Sequence, residues 1–247
     1  MRVGPGKQRG VALVIVLWIL LLVTISTGAY TLTARMDQLE AHTVLSGTQA
    51  RMAAEAGLNL AVLSLRDPIE DNRMIPDGRS YFATFEGIEV EVRVIDERGK
   101  LDINNVTEDV YVNLLTANGV DSSDAELLAA AIADWKDSDD IERANGAELP
   151  VYESAGLAVG PANRAFVMVE ELLQVIGMSW ELYTRMAPGL TVHSGTSLPE
   201  AAYAPPEALM ALPDMTEEDA RNFVAERHSQ ETLNDVELAL PNGEVAM

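Results

Sequence analysis

From Val11 to Ala34 the chain carries no charged residue, and the run Val11-Ala-Leu-Val-Ile-Val-Leu-Trp-Ile-Leu-Leu-Leu-Val23 is almost wholly aliphatic. About 20 such residues suffice to cross a bilayer core as a helix. Beyond Ala34 the pattern changes but does not break. Leu32, Met36, Leu39, Val44, Met52, Ala56, Leu60 and Leu63 recur at roughly helical spacing, with Arg35, Asp37, Glu40, Arg51 and Glu55 between them, and no proline follows Val11 until Pro68. The pattern predicts one helix of roughly fifty residues, apolar all round in its first half and amphipathic in its second.

The periodicity then switches to two. Tyr81, Phe82 and Phe85 lead to Glu86-Gly87, after which Ile88, Val90, Val92 and Val94 alternate with Glu89, Glu91 and Arg93. This reads as a β-hairpin over Arg79–Ile95 with one wet and one buried face. The amphipathic half of the long helix is the expected cover for the apolar side. Asp96 to Asn105 reads as a polar turn. Helical patterns follow at Glu108–Ala117, Ser122–Lys136, Arg164–Val175 and Trp180–Met186, with Asp121 and Asn163 as N-cap signals and Gly119 and Gly177 as stops. Thr191–His193 could return one strand. Pro205–Leu212 and Thr216–Arg227 predict two further short helices. From Glu231 one apolar stretch, Val236–Leu240, precedes a tail expected to be poorly ordered.

Charge narrows the function. A formal net charge of -22 over 247 residues leaves no basic face for nucleic-acid phosphates. With no cysteine there is no disulfide framework, thiolate metal site or cysteine nucleophile. Around the apolar run, Lys7 and Arg9 precede it, with Arg2 further out, while Arg35 stands beside Asp37 and Glu40 on the far side. The positive flank stays in the cytoplasm, which places the remainder outside it.

Three readings fit this segment. A secretory signal peptide would have an apolar region of about 7 to 15 residues and a small-residue cleavage site, here Thr27 and Ala29. A signal anchor would never be cut. In a prepilin leader, Gly10 would be the last residue removed and Val11 the new N-terminus. The long helical pattern favours the last, because a pilin packs the outer half of such a helix on its own head and the inner half in a filament core.

One acidic segment stands out, Asp134-Trp-Lys-Asp137-Ser-Asp139-Asp140-Ile-Glu142-Arg-Ala-Asn145-Gly-Ala-Glu148, which leaves the end of a predicted helix. Ca²⁺ takes about six to eight oxygen ligands in flexible geometry, and Asp-x-Asp with a later Glu is one way a loop wraps it. A solvated acidic loop reads the same way, and the offsets are not those of an EF-hand. His42, His193 and His228, the only histidines, show no ligand spacing or nucleophile motif. Glu170-Glu171 point different ways on a helix. No catalytic set emerges, so the chain reads as a non-enzyme.

Gly10 before Val11-Ala-Leu-Val-Ile, the Asp96-Glu-x-Gly-Lys-Leu101 turn leading to Asn104-Asn105, Asp134-Trp-x-Asp-x-Asp139, Gly146-Ala-Glu148 and Glu170-Glu-Leu-Leu together resemble the K-type minor pseudopilins of the type II secretion system. The resemblance covers roughly residues 7 to 230. Most pilins carry Glu at the fifth mature position, where it neutralises a neighbour's N-terminal amine in an apolar core that penalises unpaired charge. Counting from Val11 that position is Ile15, and the K-type protein is the one that lacks the Glu.

The resemblance implies an α+β fold, a pilin-like long N-terminal helix packed on a small β-sheet with a large inserted all-helical domain. The expected division is a leader (1–10), a transmembrane half-helix (11–34), a pilin-like α/β core (35–105), the helical insertion (106–190), and a return strand, helical pair and tail (191–247). It implies Ca²⁺ held by Asp137, Asp139, Glu142 and Glu148, with Asp134 a further candidate. It implies cleavage after Gly10 and N-methylation of Val11 by the prepilin peptidase, and an inner-membrane single-pass placement with the N-terminus cytoplasmic and the head periplasmic. The partners implied are the I- and J-type minor pseudopilins, the major pseudopilin and the inner-membrane assembly platform, at a pseudopilus tip that primes assembly for protein export. A type IV pilus tip is the alternative. Relatives are usually longer after the helical insertion, so a trimmed head is expected, and Val11 replaces the more familiar aromatic residue or Met.

Overall fold

A computed structural model of the chain describes residues 11–230. The leader and the stretch from Glu231, including Val236–Leu240, lie outside the described residues. These form two compact units, one of the long helix to Asn59 with the hairpin tip Ala83–Val90, the other of Leu60–Phe82 and the chain from Glu91.

Helix α1 runs unbroken over Val11–Leu65, 55 residues. Its buried positions are not the large apolar ones. Met36, Leu39, Val44, Met52 and Leu63 are exposed, whereas Ala53, Gly57 and Ala61 are buried. They recur every four residues and so share one face. Small side chains allow the closest backbone approach, so the buried row is the small one and the larger apolar residues flank it.

The hairpin forms as its alternation predicts. Strand β1 (Asp77–Phe85) meets β2 (Ile88–Ile95) across Glu86 and Gly87, with φ of 49° and 80°. Two consecutive positive φ values make the turn whose twist matches paired strands. Along β2, Val92 is buried and Ile88, Val90 and Val94 half-buried, while Glu89, Glu91 and Arg93 face solvent.

Asp96–Asn105 is a more buried structure than its polar composition predicts. After a 3₁₀ turn at Glu97–Gly99 comes a two-residue strand, β3 (Leu101–Asp102), and Leu101 and Ile103 are fully buried. Gly99 is required here, because a Cβ would lie 2.5 Å from the backbone of Tyr203. β3 pairs in parallel with β4 (Leu190–Thr191), Leu101 opposite Leu190. The return strand therefore starts one residue before the predicted one. Parallel neighbours need a long crossover, and the intervening helices supply it.

Helices α2 (Glu108–Ala117) and α3 (Ser122–Lys136) form where predicted. The middle of α3, Ala129–Ala133, is buried on successive positions, which alanine permits because it demands little space. Helix α4 (Leu149–Ser154), with a proline in its first turn, was not signalled by periodicity. The helix predicted over Arg164–Val175 does not form. Only a 3₁₀ segment, Val169–Gln174, is present, and Asn163 has a φ of 49° and caps nothing. The cause is Asn104, whose Oδ1 accepts from the Phe166 N–H at 2.7 Å and whose Nδ2 donates to the Phe166 carbonyl at 3.0 Å. The Phe166 carbonyl, which a helix would offer to the Glu170 N–H, is thereby engaged.

Helix α5 (Trp180–Met186) is as predicted, the next is only α6 (Pro206–Leu209), and α7 (Glu217–His228) starts at Thr216, whose Oγ1 accepts from the Asp219 N–H. One continuous core runs from Leu101 to Phe223. Trp135 is at 2% exposure, stacked on Phe166 with ring centroids 6.4 Å apart and tilted against Tyr152 at 6.0 Å. The fold is α+β, as expected.

Candidate functional site: a carboxylate loop at the end of a buried helix

The acidic segment starts where α3 ends, and two residues fix that end. Lys136 donates from Nζ to the carbonyls of Ile103, Asn104 and Val106 at 3.1–3.2 Å and lies over the Tyr111 ring. Two residues earlier Asp134 is completely buried. Its Oδ2 accepts from the backbone N–H of Ala147 at 2.9 Å and of Arg143 at 3.3 Å, so the carboxylate gathers the loop around itself. Gly146 follows from this packing, since a Cβ there would collide with Asp134 Oδ2.

Glu148 is 3% exposed at the N-terminus of α4. Burial first, then the negative charges of Asp134, Asp137 and Asp140, push its pKa up. Asp134 is also pushed up by burial, with Asp137 adding to it, against the backbone hydrogen bonds and Arg143. Several carboxylates are thus held close together and poorly hydrated.

Four buried oxygens in this region have no hydrogen-bond partner: Asp134 Oδ1, Asp137 Oδ1, Glu148 Oε1 and Asn163 Oδ1. Asn163 reaches the loop through its N–H to the Trp135 carbonyl, and its Nδ2 donates to Asp140 Oδ1 at 2.7 Å. Unpaired buried acceptors are costly. The arrangement attracts a cation, and Arg143 supplies one. Its guanidinium donates to Asp137 Oδ2 at 2.9 and 3.2 Å, stands 3.1 Å from Asp134 Oδ1, and reaches Glu108 Oε1 at 3.4 Å.

Of the residues singled out by the sequence, Asp134, Asp137 and Glu148 share this region. Asp139 and Glu142 are exposed, with Asp139 Oδ1 accepting from the Ile141 N–H. Among the described residues no three Asp, Glu or His side chains already stand in position to ligate one ion. The donor set is nevertheless all oxygen, partly orphaned and short of positive charge, which fits a hard cation such as Ca²⁺. Asp140 carries a charge that sequence reasoning passed over within the same acidic run. Asn163 had no local signal as a donor, since its place is set by the Trp135 contact. Val11 is the first residue of α1, Ile15 lies in its exposed apolar half, and Gly10 is outside the described residues. Among the described residues α1 is the one helix long and apolar enough to cross a membrane.

Residues 90–195 match the family described as Type II secretion system (T2SS), protein K. The chain is 27% identical over 212 residues to the putative type II secretion system protein K of Escherichia coli K12, covering 78% of this chain and 65% of that protein. To the type II secretion system protein K of Klebsiella pneumoniae it is 31% identical over 206 residues, covering 74% of this chain and 62% of that one. The Pectobacterium carotovorum protein is 28% identical, with coverages of 74% and 62%. The match therefore spans a little under two thirds of these curated relatives. A crystal structure of the GspK-GspI-GspJ complex from the enterotoxigenic Escherichia coli Type 2 Secretion System contains a chain of similar fold, with a TM-score of 0.54 at 18% identity over 80% of each chain.

Proposed function

We propose that the chain is a minor pseudopilin of the type II secretion system, placed at the pseudopilus tip and priming its assembly, a reading supported by the match of residues 90–195 to the family described as Type II secretion system (T2SS), protein K. The observation that carries this reading is the joining of a family-matched helical crossover to a 55-residue helix whose apolar half is exposed. A helix of that kind is suited first to lipid and then to neighbouring helices. Residues 11–34 span the inner membrane with the N-terminus cytoplasmic, and the head lies in the periplasm. The prepilin peptidase cleaves after Gly10 and methylates Val11. Ile15 in place of a Glu suits a subunit with no amine above it to neutralise. The role is structural, not catalytic. The matched family is that of the secretion system, so a type IV pilus tip is not carried forward.

The partners are the I- and J-type minor pseudopilins, then the major pseudopilin and the assembly platform of the inner membrane. The carboxylate loop binds Ca²⁺ through Asp134, Asp137 and Glu148, with Asp140 and Asn163 adding oxygen and Asp139 and Glu142 on the exposed rim. When bound, the ion would neutralise a cluster that is otherwise mutually repelling, and so hold the loop on the core around Trp135. The residues themselves position it: Asp134 gathers Arg143 and Ala147, and Lys136 locks the helix end.

The test is co-expression of the full chain with the I- and J-type minor pseudopilins of the same genome, followed by detergent extraction and gel filtration. The three are expected to elute together in fixed proportion. Elution of the chain alone, with its helices intact by circular dichroism, would contradict the assignment.

A further inference from the structure

Arg143 is an unusual residue to find in a loop read as a calcium site, because a fixed positive charge opposes a divalent ion. Its side chain nevertheless sits among the carboxylates, donating to Asp137 Oδ2 and paired with Asp134 Oδ1, while Asp137 Oδ1 is buried without a hydrogen-bond partner. Its own side chain is 46% exposed, so it enters from the solvent side. Glu108, also exposed, stands at the outer end of the same guanidinium, 3.4 Å from Nη1. The guanidinium thus has an inner pair of partners and an outer one.

We infer that Arg143 is a tethered cation that occupies the loop when no metal is bound and swings out toward Glu108 when Ca²⁺ enters, so that it sets the affinity of the site. This inference rests on the calcium reading above. A guanidinium satisfies two carboxylates at once with planar, forked hydrogen bonds. It holds the loop together without metal, and the ion must then displace it. The metal-free loop is thereby kept from full repulsion, and the site is tuned to bind only where free Ca²⁺ is plentiful. The buried oxygens that Arg143 leaves unpartnered, Glu148 Oε1 and Asn163 Oδ1 among them, are those the ion would take.

The experiment uses the full chain in detergent, titrated with CaCl₂ by calorimetry and melted in EGTA and in Ca²⁺. Arg143→Gln is expected to bind Ca²⁺ on the order of tenfold more tightly or better. That is the scale for removing a unit charge a few ångströms from a divalent ion at the effective dielectric of a protein surface. The same variant should melt earlier than the parent in EGTA and show the larger calcium-induced rise in midpoint. Arg221→Gln, which removes an equal charge from α7, should change neither. Arg143→Lys should fall between, since it keeps the charge but loses the fork, and it serves if the glutamine variant does not fold.

Unchanged or weaker Ca²⁺ binding by the Arg143 variants, with the parent still binding, would overturn the inference and leave the calcium reading intact. Tighter binding with no earlier melting in EGTA would also overturn it, because Arg143 would then not be holding the metal-free loop. A parent that neither binds nor responds to Ca²⁺ would remove the calcium reading and the inference together.

Discussion

Arg227 on α7 places its buried guanidinium beside Asp77, 150 residues earlier at the start of β1, with Nε 3.5 Å from Asp77 Oδ2 and Nη2 donating to the Asp77 carbonyl at 3.2 Å. Nη1 donates to the carbonyls of Ala201 and Ala204 at 2.7 and 2.9 Å. Arg79 completes the group. It forks onto Asp77 and donates to the carbonyls of Arg227 and Gln230. One buried carboxylate thus ties the base of the hairpin to the last described helix. Replacing Arg227 with Ala removes three carbonyl partners at once and half-strips a buried charge. Breaking such a pair costs about 3–5 kcal/mol, and urea unfolding of the full chain in detergent should show a loss of that order.

Acid should act on the tie and on the loop in opposite directions. Burial alone would push the Asp77 carboxyl up, but hydrogen bonds from Arg79, and the charges of Arg79 and His228, outweigh it and hold the carboxyl below the usual range. Its stabilisation is therefore complete above the unfolded value of about 4 and is lost as pH falls through the lower folded one. Glu148 and Asp134 are shifted up. In the folded state they take up protons that the unfolded chain, with carboxyls near about 4, does not hold. Their destabilisation is thus relieved as pH falls from neutrality toward that value. In EGTA the thermal midpoint should rise on mild acidification and then fall below about pH 4, and excess Ca²⁺ should abolish the rise. Asp77→Asn should remove its own share of the fall.

Gly146→Ala tests the loop from another side. The added methyl collides with Asp134 Oδ2, a carboxylate that cannot move away because it is buried and bonded to Ala147. The expected outcome is a loss of about 2 kcal/mol or more, the cost of overpacking joined to a broken buried hydrogen bond. The calcium-induced shift in melting should disappear with it. Fluorescence of Trp135, stacked on Phe166 beneath the loop, is the local probe.

The local features were legible and the long-range ones were not. Helices α2, α3, α5 and α7 and the Glu86-Gly87 hairpin follow from periodicity, caps and turn residues, signals carried within a few positions. The helix expected over Arg164–Val175 carries the same signals. It is overridden by Asn104, some sixty residues away, whose side chain holds Phe166. β3 and β4 are too short to show alternation, and their pairing is a product of the core around Leu101 and Leu190. In the site, the family resemblance implied Asp137, Asp139, Glu142 and Glu148, with Asp134 a further candidate; Asp134, Asp137 and Glu148 share the loop's inner side, whereas Asp139 and Glu142 are exposed. Asn163 and Arg143 went unnoticed as site residues, the first because only the Trp135 contact places it and the second because a positive charge in an acidic run reads as surface. The Asp77–Arg227 tie leaves no sequence signature.

The assignment turns most directly on how the N-terminus is processed, because a pseudopilin differs from an ordinary anchored domain there before anything else. The decisive measurement is the intact mass and N-terminal sequence of the protein purified from membranes of cells that carry a prepilin peptidase. The account predicts a chain that begins at N-methylated Val11. An intact Met1, or a chain cut near Ala29, would contradict it.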